Sequence, residues 1–341
     1  QLLFACTRQD FLGQHREKVL GVCSDAEIRW EVVYSTARQH GVAPLVYSNL
    51  LECDPSALGI PQQIVNKFKL SYYRNIAAKE KRAQRITEAL AFFNAQQIDV
   101  MLIKGAALDL LIYDHPWYTV SDDVDVVIKR KREDVSDEDH VKTTRFFHRT
   151  GIEFDYFQHH DVVLNDALPI NFQRIWKDAI RISIGKFQAF VMSPEDTLIS
   201  VCTNSCRKRF FQLKCLCDIA EIINRSSHLS WEDLTRKAVE DRCDNIVYAA
   251  LLTAKMTLGC KLPDQALNNL AVTPARAALI QALISRVSQH THLSSLYPYS
   301  GGKWFDRKIN VSLLLPYVTY RPYQMWRKMK RLSREWLTDV A

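Results

Sequence analysis

The feature that most constrains this chain is the stretch from Met101 to Ile128, MLIKGAALDLLIYDHPWYTVSDDVDVVI. A short apolar run ends in Lys104-Gly105, a helix-forming AALDLLI follows, and a second apolar run carries Asp123-Val124-Asp125. That order of patterns predicts strand, tight turn, helix and strand. Successive side chains of a strand face opposite sides, so Asp123 and Asp125 share one face while Val124 and Val126 take the other. Two carboxylates side by side repel each other, and a cation between them relieves the repulsion. The pattern points to a metal site. The glycine turn points to phosphate, because the first N–H groups of a helix and its positive dipole end attract anions, and Lys104 adds a point charge there.

Composition sets wide bounds. A chain of 341 residues, 47% hydrophobic and 24% charged, has material for two or three domains with real cores. A net charge of +7 suits an anionic substrate such as a nucleotide or RNA. No run approaches the roughly 20 apolar residues of a bilayer span, and QLLFACTRQDF turns polar too soon for a secretory signal. The expectation is a cytoplasmic protein with no membrane partner. The nine cysteines are expected as reduced thiols, with Cys202, Cys206, Cys215 and Cys217 acting as small hydrophobes on helices, since their spacing lacks the paired CxxC of a zinc site.

The surrounding pattern predicts an α+β fold, a small mixed β-sheet core between two helical regions. Residues 1–97 form an N-terminal helical region, 98–192 the core sheet, and 193–341 a C-terminal helical domain with a basic, aromatic tail. Ser24-Asp25 is expected to cap a helix ended by Gly41, with Pro44 breaking the chain beyond it. A long helix runs from Pro61 to about Gln97, with Lys79-Glu80-Lys81-Arg82 on its wet face. Strands are expected at Ile98–Ile103, through the Asp-x-Asp run, at Thr143–Phe147, at Gly151–Phe157, and in a hairpin turning at Gly185-Lys186. The charged block from Lys129 to His140 is read as an exposed connection. Ser193-Pro194-Glu195-Asp196 is a helix start, with a capping serine, proline at the first position and acid in the first turn.

Two-metal sites need a third carboxylate. Asp155 is the first candidate and Glu153 the second, both in IEFDYF. The doublet His159-His160-Asp161 is read as a polar loop, because adjacent residues on a strand cannot share one ion.

A glycine turn opening a helix, followed by an Asp-x-Asp strand, resembles the polymerase-beta-like nucleotidyltransferase superfamily, and more closely its bacterial nucleotidyltransferase-like family. The matching stretches are ARQHGVAPLVYSNLL at 37–51, IDVMLIKGAAL at 98–108, IYDHPW, DDVDVVI at 122–128, SPEDTLISVC at 193–202 and LKCLCDIAEII at 213–223. The resemblance covers about residues 28–225. It implies that Gly105 and Ala106 occupy the glycine-serine turn, that Asp123 and Asp125 are the metal carboxylates, and that Lys104 is the family lysine. It departs in having Ala106 for a serine, Thr119 for an arginine and Asp122 for a glycine. Lys214 and Arg209 are candidate triphosphate or acceptor contacts, with an intrahelical Lys214–Asp218 salt bridge as the alternative.

The implied activity is a nucleotidyltransferase dependent on Mg2+ or Mn2+. It would move a nucleoside monophosphate from an NTP such as ATP to a hydroxyl on a protein, a metabolite or an RNA, with a toxin or phage-defence role open. Two alternatives stand beside it: a catalytically decayed relative that binds nucleotide or a partner, and a helical RNA binder using the basic tail.

Overall fold

The computed structural model describes residues 2–25, 28–121, 123–129, 135–150, 153–156, 171–208, 210, 212–290 and 318–319, with backbone alone at 25, 153–156, 264 and 287–290. Five helices lead: α1 (Leu2–Ala5), α2 (Gln14–Asp25), α3 (Trp30–Gln39), α4 (Ala43–Leu51) and the 34-residue α5 (Gln62–Ala95). Then come β1 (Val100–Ile103), α6 (Lys104–Leu111), a 3-10 turn at Pro116–Tyr118, β2 (Asp125–Ile128), α7 (Asp137–Thr150) and β3 (Glu153–Tyr156). After α8 (Phe172–Lys177) the hairpin β4 (Ile180–Ile184) and β5 (Phe187–Val191) completes the sheet. The rest is helical: α9 (Pro194–Arg207), α10 (Leu213–Arg225), α11 (Trp231–Glu240), α12 (Asp244–Leu258), α13 (Asp264–Asn268) and α14 (Pro274–His290).

The sheet is mixed, in the order β3-β2-β1-β5-β4. β1 runs antiparallel to β2 and parallel to β5, while β2 and β3 are parallel. Both faces of the two central strands are covered, which is why they read as continuous apolar runs rather than alternating ones. On one side Val100, Leu102, Val124, Val126 and Ile128 pack with Ile86, Leu90 and Phe93 of α5 and Phe147 of α7. On the other side Met101, Ile103 and Val127 join a core reaching from Leu2 through Leu198 and Leu216 to Ile284, so the N- and C-terminal helices share one apolar interior.

Several expectations hold. The hairpin turns at Gly185, with φ +59 in the left-handed region that favours glycine. Ser193 caps α9 by accepting from the Asp196 N–H, with Pro194 in the first turn. Every cysteine is a thiol and eight are buried; burial pushes Cys215 up to about 12. No described helix is long and apolar enough to cross a membrane.

Others need correction. Thr143–Phe147 lies in a helix, not a strand: Thr143, Phe147 and Thr150 are buried at helical spacing, and parallel β2 and β3 require a crossover, which α7 supplies. The charged connection before it is correspondingly shorter. Ser24 closes α2, its hydroxyl donating to the Leu20 carbonyl, and α3 starts after Arg29 without a side-chain cap. Pro44 sits in the first turn of α4 rather than ending anything, where its missing N–H costs nothing. Most consequential, only part of the Lys79–Arg82 segment is wet: Glu80 and Lys81 are exposed, but Lys79 and Arg82 are buried. His159-His160-Asp161 and the basic tail beyond Thr319 lie outside the described residues.

Candidate active site

β1 passes into α6 with no intervening loop, and the change of direction is made at Lys104, whose φ is +50. A lysine in the left-handed region carries strain that packing must offset. The glycine at 105 is therefore not there for its own backbone angle. Close approach explains it: a Cβ on Gly105 would lie 2.4 Å from Ser121 Oγ and 3.2 Å from Arg82 Nη2.

Opposite this turn stand the carboxylates. β2 begins at Asp125, so Asp123 belongs to its lead-in. Val124 and Val126 are buried in the same cluster, so the alternation expected for Asp123 and Asp125 carries through both positions. Asp123 is exposed, whereas Asp125 is 6% exposed and pairs across the ladder with Ile103. Lys104 Nζ donates to Asp125 Oδ1 at 3.0 Å. The Lys104-Gly105 turn and the Asp-x-Asp strand thus touch directly. On the far side of β2, the parallel register sets Glu153 beside Asp125 and Asp155 beside Val127. Glu153 thus stands nearer in register to the aspartate pair than Asp155 does. Among the described residues no group of three or more metal-ligating side chains converges.

Beneath the turn lie buried charges of α5, Lys79 and Arg82, from the segment expected on the wet face of that helix. Asn75, Lys79 and Arg82 fall on one side of the helix, four and three residues apart. Asn75 Nδ2 donates to the carbonyls of Trp117 (2.6 Å) and Thr119 (3.3 Å). Lys79 Nζ and Arg82 Nη1 both donate to Asp109 Oδ2, at 2.6 and 2.8 Å, and Arg82 Nη1 also reaches the Ser121 carbonyl at 3.0 Å. Arg82 is 2% exposed and its Nε and Nη2 have no partner among the described residues. Burial pulls the Lys79 ammonium down to about 8 against the attraction of Asp109. It also lifts the Asp109 carboxyl and lowers the Arg82 guanidinium. The stripe was detectable: the buried face of α5 reads Ile64, Phe68, Asn75, Lys79, Arg82, Ile86, Leu90 and Phe93, an apolar helical stripe with polar residues only in its middle.

The remaining candidates fall as follows. Ala106 packs with Val124 and Val126 in the core, so a hydroxyl there would enter apolar surroundings and only its backbone N–H bears on the turn. Lys214 Nζ is held by Asp218 Oδ2 at 2.8 Å, the intrahelical pair, and Tyr113 donates to the other oxygen of that carboxylate at 2.6 Å. Burial alone would lower the Lys214 ammonium, but Asp218 outweighs it and the value is raised. Arg209 lies outside the described residues.

A small mixed sheet whose first strand runs into a helix at Lys104-Gly105, with the Asp-x-Asp segment on the antiparallel neighbour, is the arrangement that the resemblance to nucleotidyltransferases implies. The model of a family described as uncharacterised nucleotidyltransferase matches residues 26–259, and the chain belongs to that family. No curated protein and no solved structure matches the chain.

Proposed function

We propose that this protein transfers a nucleoside monophosphate from an NTP to a hydroxyl acceptor, where the Lys104-Gly105 turn meets Asp123-Val124-Asp125. The observation that carries the proposal is the 3.0 Å contact between Lys104 and Asp125, which joins a phosphate-seeking cation to a metal-seeking carboxylate in one place. Family membership supports the reaction class.

The donor set suits a hard divalent cation, Mg2+ or Mn2+. Asp123 is open to solvent, Asp125 is presented from a rigid strand, and Glu153 and Asp155 stand on the neighbouring strand as third carboxylate. When bound, the metal supplies charge neutralisation and polarisation at the transferred phosphoryl group. The chain's own residues do the rest. Backbone N–H groups at Gly105 and Ala106 and the Lys104 ammonium orient the β and γ phosphates. The carboxylate of Glu153 or Asp155 that remains uncoordinated accepts the proton of the acceptor hydroxyl. Protein, metabolite and RNA hydroxyls all satisfy this chemistry, and ATP is the first donor to try.

A second reading has its own observation. Lys104 already neutralises Asp125, the arrangement expected of a relative that binds nucleotide without transferring it. The two separate when the protein is incubated with each labelled NTP plus Mg2+ or Mn2+. Label transfer or pyrophosphate release that falls by about 10^3-fold or more in Asp123→Ala is expected of the enzyme. Metal-independent nucleotide binding with no transfer from any NTP would instead establish the binder.

A further inference from the structure

Two residues that the resemblance expects are missing from their usual places, a serine at 106 and an arginine at 119. We infer that Ser121 and Arg82 take over at this site: Ser121 as the hydroxyl that donates to the nucleotide's phosphate oxygens, and Arg82 as the positioning residue beneath it. The inference deepens the reading above and rests on it.

Four observations converge. Gly105 has an ordinary backbone angle, so its lack of a side chain serves to admit Ser121, whose Oγ and Cβ would lie 2.4 and 3.1 Å from a Cβ there. Ser121 is half-buried, stands two residues before Asp123, and its hydroxyl makes no hydrogen bond among the described residues. The free N–H groups of the first turn of α6 are donors to an anion, and the Ser121 hydroxyl lies against the glycine in that turn. Arg82 holds the Ser121 carbonyl at 3.0 Å while its unpaired, fully buried Nη2 lies 3.2 Å from the same point over Gly105. A buried guanidinium with two nitrogens unsatisfied is costly unless it serves something. Here it fixes Ser121 and puts positive charge under the turn. Thr119, where the family places its arginine, is itself buried, and its carbonyl is held by Asn75 from the same stripe of α5. The cation has moved from the strand's lead-in to the helix that supports it.

The test uses tripolyphosphate with Mg2+, which probes the phosphate subsite whatever the base, titrated calorimetrically into the full chain. Ser121→Ala is expected to weaken binding about tenfold, the loss of one hydrogen bond to a charged group, with the melting temperature unchanged. Gly105→Ala should weaken it further by driving the serine off, and the double variant should bind no worse than Ser121→Ala alone. Arg82→Lys, which keeps a buried cation and the fold, should weaken binding in the parent chain but not when serine 121 is already replaced. Equal affinity of Ser121→Ala and the parent chain would overturn the inference and leave the proposed reaction standing. Parent chain that binds the probe but transfers no label would remove the reaction and leave the phosphate subsite. Parent chain that binds no tripolyphosphate removes both.

Discussion

Two of the buried charge networks among the described residues differ in kind, and the contrast between them separates scaffold from site. The first is the set under the turn: Lys79, Arg82 and Asp109, continued by Lys104 and Asp125. The second ties α8 to α9 and α11. There Arg174 Nη2 bonds Asp196 Oδ1 at 3.0 Å and Asp241 Oδ2 at 2.7 Å, and Lys237 Nζ bonds Asp196 Oδ2 at 2.8 Å and Asp178 Oδ2 at 2.9 Å. In this second set three aspartates surround two cations, and Ser193 is drawn in both as helix cap and as partner of Asp196 and Lys237. Among the described residues only Nε of Arg174 is left over in this set. Under the turn the balance is reversed: two buried cations share one oxygen of Asp109, Arg82 leaves two nitrogens unpaired, and Asp123 stands open to solvent. A buried network that closes on itself specifies packing, whereas one that ends in unmatched donors next to an exposed carboxylate can serve a ligand.

The largest effect that can break this comparison comes from the closed set. Asp196→Ala leaves Arg174 and Lys237 each short of a buried carboxylate, which costs roughly 3–5 kcal/mol. Thermal unfolding should show it as a large drop in melting temperature, while tripolyphosphate affinity, measured well below that temperature, stays at the parent value. If affinity falls as steeply as stability, the division between scaffold and site is wrong.

The same contrast explains what could be read from the chain. The apolar strands on either side of α6 and the Ser193 cap were legible because each is a local pattern with a local physical cause, whereas the turn expected at the glycine is made at Lys104 and Asp123 lies ahead of its strand. α7 was missed because Thr143–Phe147 is rich in β-branched and aromatic residues; the parallel pairing that demands a crossover helix is invisible until β3 is placed beside β2. Arg82 was missed for a different reason. Charged residues on a long helix are usually solvated, and the partners that bury this one, Asp109 and Ser121, lie 27 and 39 residues further along. The polar break in the stripe of α5 was the available signal. Ser121 gave none, because its role depends on the distance to Gly105 in space, not on spacing in sequence.

A pH experiment sharpens the comparison at intermediate scale. Lys79 has a folded value near 8 against an ordinary 10.5, so between those values the folded state binds fewer protons than the unfolded chain. Stability from this group therefore rises with pH across that window and is lost as pH falls through about 8, by up to roughly 3 kcal/mol at full extent. Buried thiols such as Cys215 and Cys217, whose values are raised by burial, act in the opposite direction as the unfolded chain ionises. The parent chain alone is thus uninformative, and the quantity to follow is its melting temperature minus that of Lys79→Met. This difference should increase by a few degrees from pH 8 to pH 10. A flat difference would mean that Asp109 holds the ammonium charged throughout, making the first set as closed as the second.

The smallest effect tests whether the open set is poised for a metal. Lys104 is bound to Asp125, yet its side chain keeps 22% of its exposure, so the pair is partly screened. A divalent cation reaching Asp125 must compete with that ammonium, and Lys104→Met removes the competitor without adding a ligand. Mn2+ titrated in the absence of nucleotide and followed by loss of the free-ion EPR signal should bind a few-fold tighter to Lys104→Met than to the parent chain, under ~1 kcal/mol. Tripolyphosphate should bind the same variant more weakly, because the lysine is then missing from the anion side. Opposite shifts for cation and anion are what a lysine exchanged between a carboxylate and a phosphate produces. Weakening of both would mean that Lys104 is part of the scaffold after all, holding its strained turn for the fold alone.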